Sequence, residues 1–334
     1  MEKVTIIGAG SWGSALARIL GDNNHQVLLY DRDEATIEEI NKYHTNIAKL
    51  PVGKLPDSVK ATTDIKEAVT FGDVLVLSVP TKVIRGVITE INEVVDKPKL
   101  IVNASKGIEP DTYKRVSEIV YEVIDNDKIL GFVALTGPSH GEEVINQMLT
   151  VIAAASTSQE MAERVQKMFS NYTYFRVYTV NDLIGAELGG SIKNVFAMAA
   201  GMLYGLGYGD NARAALITRG LSEMRRLAVA LGAKEETIYG LTGLGDLVVT
   251  TTSFHSRNFQ AGVKIAQGKN LKQTLASMSM VVEGARTALS AYQAARKHNI
   301  YTPIIDAVYN IIYHQQPVKE AIDELMLKAL KPED

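Results

Sequence analysis

The 334-residue chain carries 35 Lys and Arg against 38 Asp and Glu, a formal net charge of −3, with 46% apolar and 22% charged residues. That balance describes a globular protein of about two domains and argues against a nucleic-acid or membrane-surface partner, which needs a concentrated basic face. The absence of cysteine excludes disulfides, thiol catalysis, zinc–thiolate sites and iron–sulfur clusters, and no metal site is expected.

Met1-Glu2-Lys3 leads directly into an apolar strand from Val4, which leaves no room for a signal peptide. No apolar run reaches the ~20 residues that a bilayer span requires. A cytoplasmic protein without stable membrane insertion is expected. Short β-rich runs are predicted at Val4–Gly8, Gln26–Tyr30, Val59–Thr62, Val74–Val79, Leu100–Asn103 and Phe132–Thr136, then at Thr150–Ala154 and Tyr174–Tyr178. Several are apolar without alternation, as strands covered by helices on both faces are. Between the first two, Trp12, Leu16, Ile19 and Leu20 repeat at helical spacing. This alternation predicts an α/β fold whose first 180 residues form a doubly wound, mostly parallel sheet.

From about Asn181 strand signals fade. Along Ala212–Leu231 the residues Ile217, Leu221, Met224, Ala228 and Leu231 fall on one helical face, and Gly232 is placed to end that helix. Pro317 takes a first helical position ahead of a helix over Val318–Leu330. Residues 181–334 therefore read as an all-helical domain bearing substrate-binding and catalytic groups. No Pro/Ser-rich linker separates the halves, so they are expected to pack tightly and share a cleft.

Gly8-Ala9-Gly10-Ser11-Trp12-Gly13 is a GxGxxG run, a weak signal alone. Here it follows a buried strand, opens an amphipathic helix, and precedes an acidic residue, Asp31, at the end of the next strand. That context is the Rossmann-type dinucleotide fingerprint. Gly8 permits the tight turn, Gly10 lets the backbone approach a pyrophosphate, and Gly13 lets the helix lie close on the strand. The helix N-terminus then offers unpaired N–H groups and partial positive charge. Asp31 suits the ribose hydroxyls of NAD, whereas Arg32 beside it suits the 2′-phosphate of NADP. Asp33 and Glu34 would repel that phosphate, and the residues leave NAD against NADP open.

Ligands bind outside the carboxyl ends of strands in such sheets, which directs attention to Ser78-Val79-Pro80-Thr81, Ser105-Lys106-Gly107 and Thr136-Gly137-Pro138-Ser139. Lys106 could meet a phosphate or a polarised carbonyl; away from such a loop it would read as a solvated lysine. Gly137-Pro138-Ser139-His140-Gly141 also matches the G-x-S-x-G elbow of a serine hydrolase. Only His255, His298 and His314 lie downstream, none in a recognisable triad context, so that reading is set aside.

Two clusters mark the helical half. In Glu187-Leu188-Gly189-Gly190-Ser191-Ile192-Lys193-Asn194 the glycines lie one turn before Lys193 on the same face, and cost a helix roughly 2 kcal/mol relative to alanine. A nicotinamide ring or small substrate coming close to that face would justify them; close helix packing with an exposed lysine would too. In Gly240-Leu241-Thr242-Gly243-Leu244-Gly245-Asp246 a carboxylate is expected in a tight loop. Ser256, Arg257 and Asn258 precede a helical stretch at Phe259–Gln267, where hydroxyl, guanidinium and amide could cradle a phosphate. The plainer reading is an N-cap serine followed by surface residues.

At these residues the chain closely resembles the bacterial-type NAD(P)-dependent glycerol-3-phosphate dehydrogenases. The matching blocks are Gly8–Ala17 (GAGSWGSALA), Ala104–Glu109 (ASKGIE), Gly137–Glu142 (GPSHGE), Glu187–Val195 (ELGGSIKNV), Ala214–Met224 (AALITRGLSEM), Gly243–Leu247 (GLGDL), His255–Asn258 (HSRN) and Val281–Gly284 (VVEG). The resemblance implies hydride transfer between NAD(P)H and dihydroxyacetone phosphate, giving sn-glycerol 3-phosphate for phospholipid synthesis. It implies Lys193 as proton donor and acceptor, with Asp246 beside it. It implies dinucleotide contacts at Ser11, Trp12, Arg32, Lys106, Gly141, Arg257, Val281 and Glu283. Substrate contacts are implied at Lys106, Gly137, Ser139, Lys193, Asp246, Ser256, Arg257 and Asn258. Gly141 stands where the family usually has alanine, Thr242 where alanine is frequent, and Thr251 where cysteine is frequent. Competing readings are another two-domain dehydrogenase of 2- or 3-hydroxy acids, against which the phosphate cradle speaks, and a dinucleotide sensor, which would not need Lys193, Asp246 and Asn194. The expected partner is a small phosphorylated substrate; a homodimer is allowed, and the sequence does not set the oligomeric state.

Overall fold

The computed structural model of the chain describes every residue except 110–111, 279–281, 331 and 334. Eight strands alternate with helices through the first half: β1 (Lys3–Ile7), α1 (Ser11–Asp22), β2 (Gln26–Tyr30), α2 (Glu34–Tyr43), β3 (Val59–Thr62), α3 (Ile65–Phe71), β4 (Val74–Leu77), α4 (Thr81–Val94), β5 (Lys99–Asn103), α5 (Val116–Val123), β6 (Ile129–Thr136), α6 (Gly141–Ile145), β7 (Thr150–Ala155), α7 (Gln159–Phe169) and β8 (Phe175–Val180). They form one sheet in the order β3-β2-β1-β4-β5-β6-β7-β8. Every neighbouring pair is parallel except β6 with β7. All eight predicted strands are present within a few residues of their expected bounds.

Burial explains the strand sequences. Central β4 and β5 are buried at every position, and their Val/Leu/Ile runs face helices on both sides. The outer strands β3 and β8 alternate buried with exposed or half-buried residues over most of their length, as one-sided strands do. The order reverses between β1 and β4, so the carboxyl ends of these strands open a crevice at which ligands bind in such sheets.

The second half is helical: α8 (Leu183–Gly205), α9 (Asp210–Ala230), α10 (Glu235–Tyr239), α11 (Asp246–Thr252), α12 (Arg257–Ala266), α13 (Leu271–Ala276), α14 (Glu283–Lys297), α15 (Pro303–Tyr313) and α16 (Val318–Met326). The predicted helix at Ala212–Leu231 is α9, and Gly232 follows it with φ +97°. The last helix differs from expectation: Pro317 is its N-cap rather than its first residue, and it stops at Met326, leaving Leu327 and Leu330 exposed.

α8 is the axis of this domain. It is apolar nearly all round, with every residue from Gly185 to Met202 buried, the mark of a helix enclosed by others. Its tightest neighbour is α12. A Cβ built on Gly201 would lie 2.0 Å from the Phe259 carbonyl oxygen, and one on Gly262 would lie 2.0 Å from the Met198 carbonyl oxygen. The two backbones therefore touch through reciprocal glycines. Gly262→Ala should cost about 1–3 kcal/mol through overpacking, read as a lower urea midpoint at constant m-value; an unchanged midpoint would remove this crossing as a constraint.

The halves are joined by buried and half-buried polar contacts. Glu187 on α8 accepts hydrogen bonds from Ser117 N (2.9 Å), Ser117 Oγ (2.5 Å) and Arg115 Nη1 (3.1 Å) at the start of α5. Glu283 on α14 accepts one from Thr81 N at the start of α4 (3.0 Å).

Candidate active site

The glycine-rich turn joins β1 to α1. Gly8 has φ +109° and lies against the Ser78 carbonyl, where a Cβ would come within 2.7 Å of the oxygen. A Cβ on Gly13 would lie 2.0 Å from the Gly8 carbonyl oxygen, so only glycine lets α1 seat here. Gly10 is different. No atom lies within 4 Å of a Cβ placed on it, and it caps α1 with no acidic residue in the first turn. The start of α1 thus offers backbone donors to open space, which fits a pyrophosphate.

Asp31 follows β2 and fastens this turn. One carboxylate oxygen accepts from Ala9 N (2.9 Å) and the other from Asp33 N (3.2 Å). Arg32, exposed beside Asp31, pairs with Glu90 on α4. Trp12 borders the cleft, its indole Nε1 buried without a partner among the described residues. Gly141 begins α6 against Ser11, where a Cβ would lie 3.1 Å from the Ser11 carbonyl oxygen. Val281 lies outside the described residues.

Across the cleft Lys193 projects from the middle of α8. Its Nζ donates to Asp246 Oδ1 (2.6 Å) and Thr250 Oγ1 (2.6 Å). The other Asp246 oxygen accepts from Lys106 Nζ (2.7 Å), which also donates to the Gly137 carbonyl (3.0 Å) and reaches Ser139 Oγ (3.5 Å). One carboxylate therefore sits between two ammonium groups, one from each domain. Burial pushes Lys193 down from 10.5 to about 8; Asp246 opposes the shift and Lys106 reinforces it. Burial works against the Asp246 carboxylate, yet the two ammoniums outweigh it and hold its pKa below the ordinary value.

One open alternative is decided and one local expectation is corrected. Gly189 and Gly190 make room for the chain itself: a Cβ on Gly189 would lie 2.7 Å from the Thr242 carbonyl oxygen, and one on Gly190 would lie 3.3 Å from Thr136 Oγ1. Of the two readings left open, close packing is the one realised, on the 241–245 segment at Gly189 and on β6 at Gly190, although Lys193 is buried rather than exposed. Asp246 is not in a tight loop either. The 241–245 segment winds as a π-helical turn and Asp246 begins α11, so its side chain is fixed by a helix start.

The start of α12 faces the same cleft. Ser256 is its N-cap, its Oγ accepting from Phe259 N (3.2 Å), as the plainer reading expected. Asn258 is buried and committed to the frame: its Nδ2 donates to Asn194 Oδ1 (2.9 Å) and its Oδ1 accepts from Gly284 N (2.8 Å). Arg257 makes no hydrogen bond or ion pair with any described residue. Its nearest electrostatic partners are Glu142 and Glu283, and burial pushes its pKa down. Burial also pushes Glu283 up.

Gly8, Gly13 and Gly137 shape the backbone without lining the cleft, and Asp31 and Arg32 lie beyond its walls. Ser11, Trp12, Lys106, Ser139, Gly141, Lys193, Asp246, Ser256, Arg257, Asn258 and Glu283 all line it. The sequence reading missed Thr250 as a site residue, although its place four residues after Asp246 puts both on one helical face. It also missed His140, whose ring lies 5.6 Å from that of His255 across the cleft mouth; burial and the lysine charges push His140 down to about 4, so it stays neutral. No sequence signal pairs those two rings.

A doubly wound sheet with an open glycine turn, facing a lysine–carboxylate pair on a helical domain, defines a two-domain dehydrogenase of the nicotinamide-dinucleotide class. Residues 3–162 match the family described as NAD-dependent glycerol-3-phosphate dehydrogenase N-terminus, and residues 182–323 match its C-terminus. The chain is 49% identical over all its length to a glycerol-3-phosphate dehydrogenase [NAD(P)+] of Geobacillus kaustophilus, covering 96% of that protein. It is 45% identical over all its length to that of Staphylococcus haemolyticus, covering 100% of it. A crystal structure of glycerol-3-phosphate dehydrogenase from Coxiella burnetii superposes with a TM-score of 0.92 at 33% identity, covering 98% of this chain and 99% of that one. A ketopantoate reductase of Ralstonia eutropha, at 16% identity and a TM-score of 0.61 over 97% of this chain and 99% of that one, shares the fold alone. The chain belongs to the NAD-dependent glycerol-3-phosphate dehydrogenase family, and its cofactor is NAD or NADP.

Because Asp246 raises the Lys193 pKa, Asp246→Asn should move it below about 8. Competitive acylation of Lys193 across pH, read by peptide mass spectrometry, measures this; an unchanged or higher value would contradict the pairing.

Proposed function

We propose that this dehydrogenase interconverts dihydroxyacetone phosphate and sn-glycerol 3-phosphate, with Lys193 moving the proton at the C2 oxygen. The observation that carries the reading is the buried Lys193–Asp246 contact, 2.6 Å long, in the cleft that the glycine turn opens. The start of α1 at Ser11 and Trp12 would hold the dinucleotide pyrophosphate, with Asp31 and Arg32 toward the adenosine ribose and Gly141, Lys106, Arg257 and Glu283 nearer the reacting end. When bound, the nicotinamide supplies hydride to C2 in reduction and takes it back in oxidation.

The chain's own residues supply the rest. A lysine with a pKa of about 8 is mostly protonated at pH 7 and serves as an acid toward the C2 oxygen. Above pH 8 it is mostly neutral and serves as the base that removes the C2 hydroxyl proton. Asp246 fixes the direction of the Nζ, and Thr250 holds a second position on it, leaving the third for substrate. Arg257, unpaired among the described residues, supplies the fork for the substrate phosphate, and the Ser256-capped start of α12 adds backbone polarity there. Lys106, anchored at Gly137 and Asp246, supplies positive charge over the same substrate. The product is a phospholipid precursor. Among the described residues no helix is long and apolar enough to cross a membrane, and the proposed compartment is the cytoplasm.

Lys193→Ala should lower kcat by roughly 10²–10⁴ while leaving dinucleotide affinity nearly intact; a variant retaining most of its kcat would remove lysine from this role. Oxidation of glycerol 3-phosphate should rise with pH through about 8, and reduction of the ketone should fall above it, in initial-rate profiles. Arg257→Ala should raise KM for dihydroxyacetone phosphate by roughly 10–100-fold, the worth of a charged hydrogen bond. Unphosphorylated dihydroxyacetone, assayed beside it, should be poor with the native enzyme and insensitive to that substitution. Equal activity on both ketones would overturn the phosphate site.

A further inference from the structure

We propose that Glu90 sets how strongly this enzyme discriminates between the two nicotinamide dinucleotides, by holding Arg32 away from the 2′-position of the adenosine ribose. The inference rests on the dinucleotide reading of the Gly8–Gly13 turn.

The residues just after β2 face the ribose in this fold. A carboxylate there accepts from a 2′-hydroxyl, and a nearby arginine accommodates a 2′-phosphate. In this chain both residue types are present, and the structure distinguishes their states. Asp31 is fixed on Ala9 N and Asp33 N, with lone pairs left for hydroxyl donors. Arg32 is already matched: its Nη2 donates to Glu90 Oε1 at 2.5 Å, reaching from the end of β2 to the outer face of α4. Asp33 is engaged elsewhere, accepting from Thr36 Oγ1 (2.8 Å). Among the described residues Glu90 is the acidic group that forms an ion pair with Arg32.

A 2′-phosphate brings nearly two negative charges. To pair with it, Arg32 must leave Glu90 or hold both anions, and in the second case Glu90 repels the phosphate. A 2′-hydroxyl makes neither demand. The two side chains are 66% and 38% exposed, so solvent screens the pair and its hold is a matter of a few-fold rather than a barrier. Glu90 is therefore a tuning residue, acting through Arg32.

The test is equilibrium binding of NADPH and NADH by calorimetry, beside kcat/KM for each. Glu90→Gln should tighten NADPH about three- to fivefold at low salt and change NADH less than twofold, with the gain shrinking as salt screens the charges. Arg32→Ala combined with Glu90→Gln should lose the gain, because the gain needs a freed guanidinium. Equal changes for both dinucleotides, no change for NADPH, or a gain that survives removal of Arg32 would each overturn the role of Glu90. A native enzyme that binds neither dinucleotide would instead overturn the underlying reading of the turn.

Discussion

The structure depends on one carboxylate placed between two ammonium groups. Asp246 is buried, and so is Lys193, whose side chain is 6% exposed; Lys106 keeps 19%. With both lysines protonated the trio carries one excess positive charge in a water-poor site. The proton is lost most readily where desolvation is deepest, which is on Lys193. A single acid between two bases thus gives a lysine that titrates near working pH without a metal ligand or a second acid. The same arrangement anchors Lys106, because removing one partner from a buried charge pair typically costs about 3–5 kcal/mol.

That trio also ties chemistry to domain docking. Lys106 hangs from the loop after β5, Lys193 sits on α8, and Asp246 begins α11. The helical domain alone holds Lys193 with its counter-ion, whereas Lys106 meets Asp246 only when the two domains dock. Glu187 at the start of α5 and Glu283 at the start of α4 repeat the pattern: each is an acid of the helical domain, buried at Glu187 and half-buried at Glu283, accepting a backbone N–H at a helix N-terminus of the sheet domain. Helix N-termini carry partial positive charge, so these contacts register the two halves without a second buried cation at Glu283. The long buried α8 carries both Glu187 and Lys193, and docking at one fixes the reach of the other.

Paired and unpaired cations divide the work of the cleft. Lys106 and Lys193 are held by protein groups, which sets their direction. Among the described residues Arg257 is left without an ion pair at the start of α12, and the exposed Arg32, outside the cleft walls, is paired with Glu90. A free guanidinium in a partly desolvated pocket favours an anionic group that accepts two parallel N–H bonds, as a phosphate does. An arginine already in a salt bridge must exchange one anion for another. The same residue type therefore serves affinity at one place and selectivity at the other.

The sequence by itself determined the fold class, all eight strands, the glycine turn, and the residue types that the chemistry requires. These are local properties: apolar runs, turn glycines and helical spacing act over a few residues. It did not determine what lies against Gly189 and Gly190, because their neighbours, the Thr242 carbonyl and the Thr136 hydroxyl, are far away along the chain in opposite directions. Asp246 was legible as a carboxylate near glycines, but its place between Lys106 and Lys193 depends on contacts 140 and 53 residues apart. Asn258 read as a ligand donor; that its amide also joins α8 to α14 at the cleft wall was not legible. Arg32 beside Asp31 left the choice of dinucleotide open, and its ion pair with Glu90, 58 residues away, could not be read from that local sequence. Whether a polar side chain is committed or free is decided by the partners that tertiary packing brings to it, and hydrogen-bond and charge compensation act through space rather than along the chain.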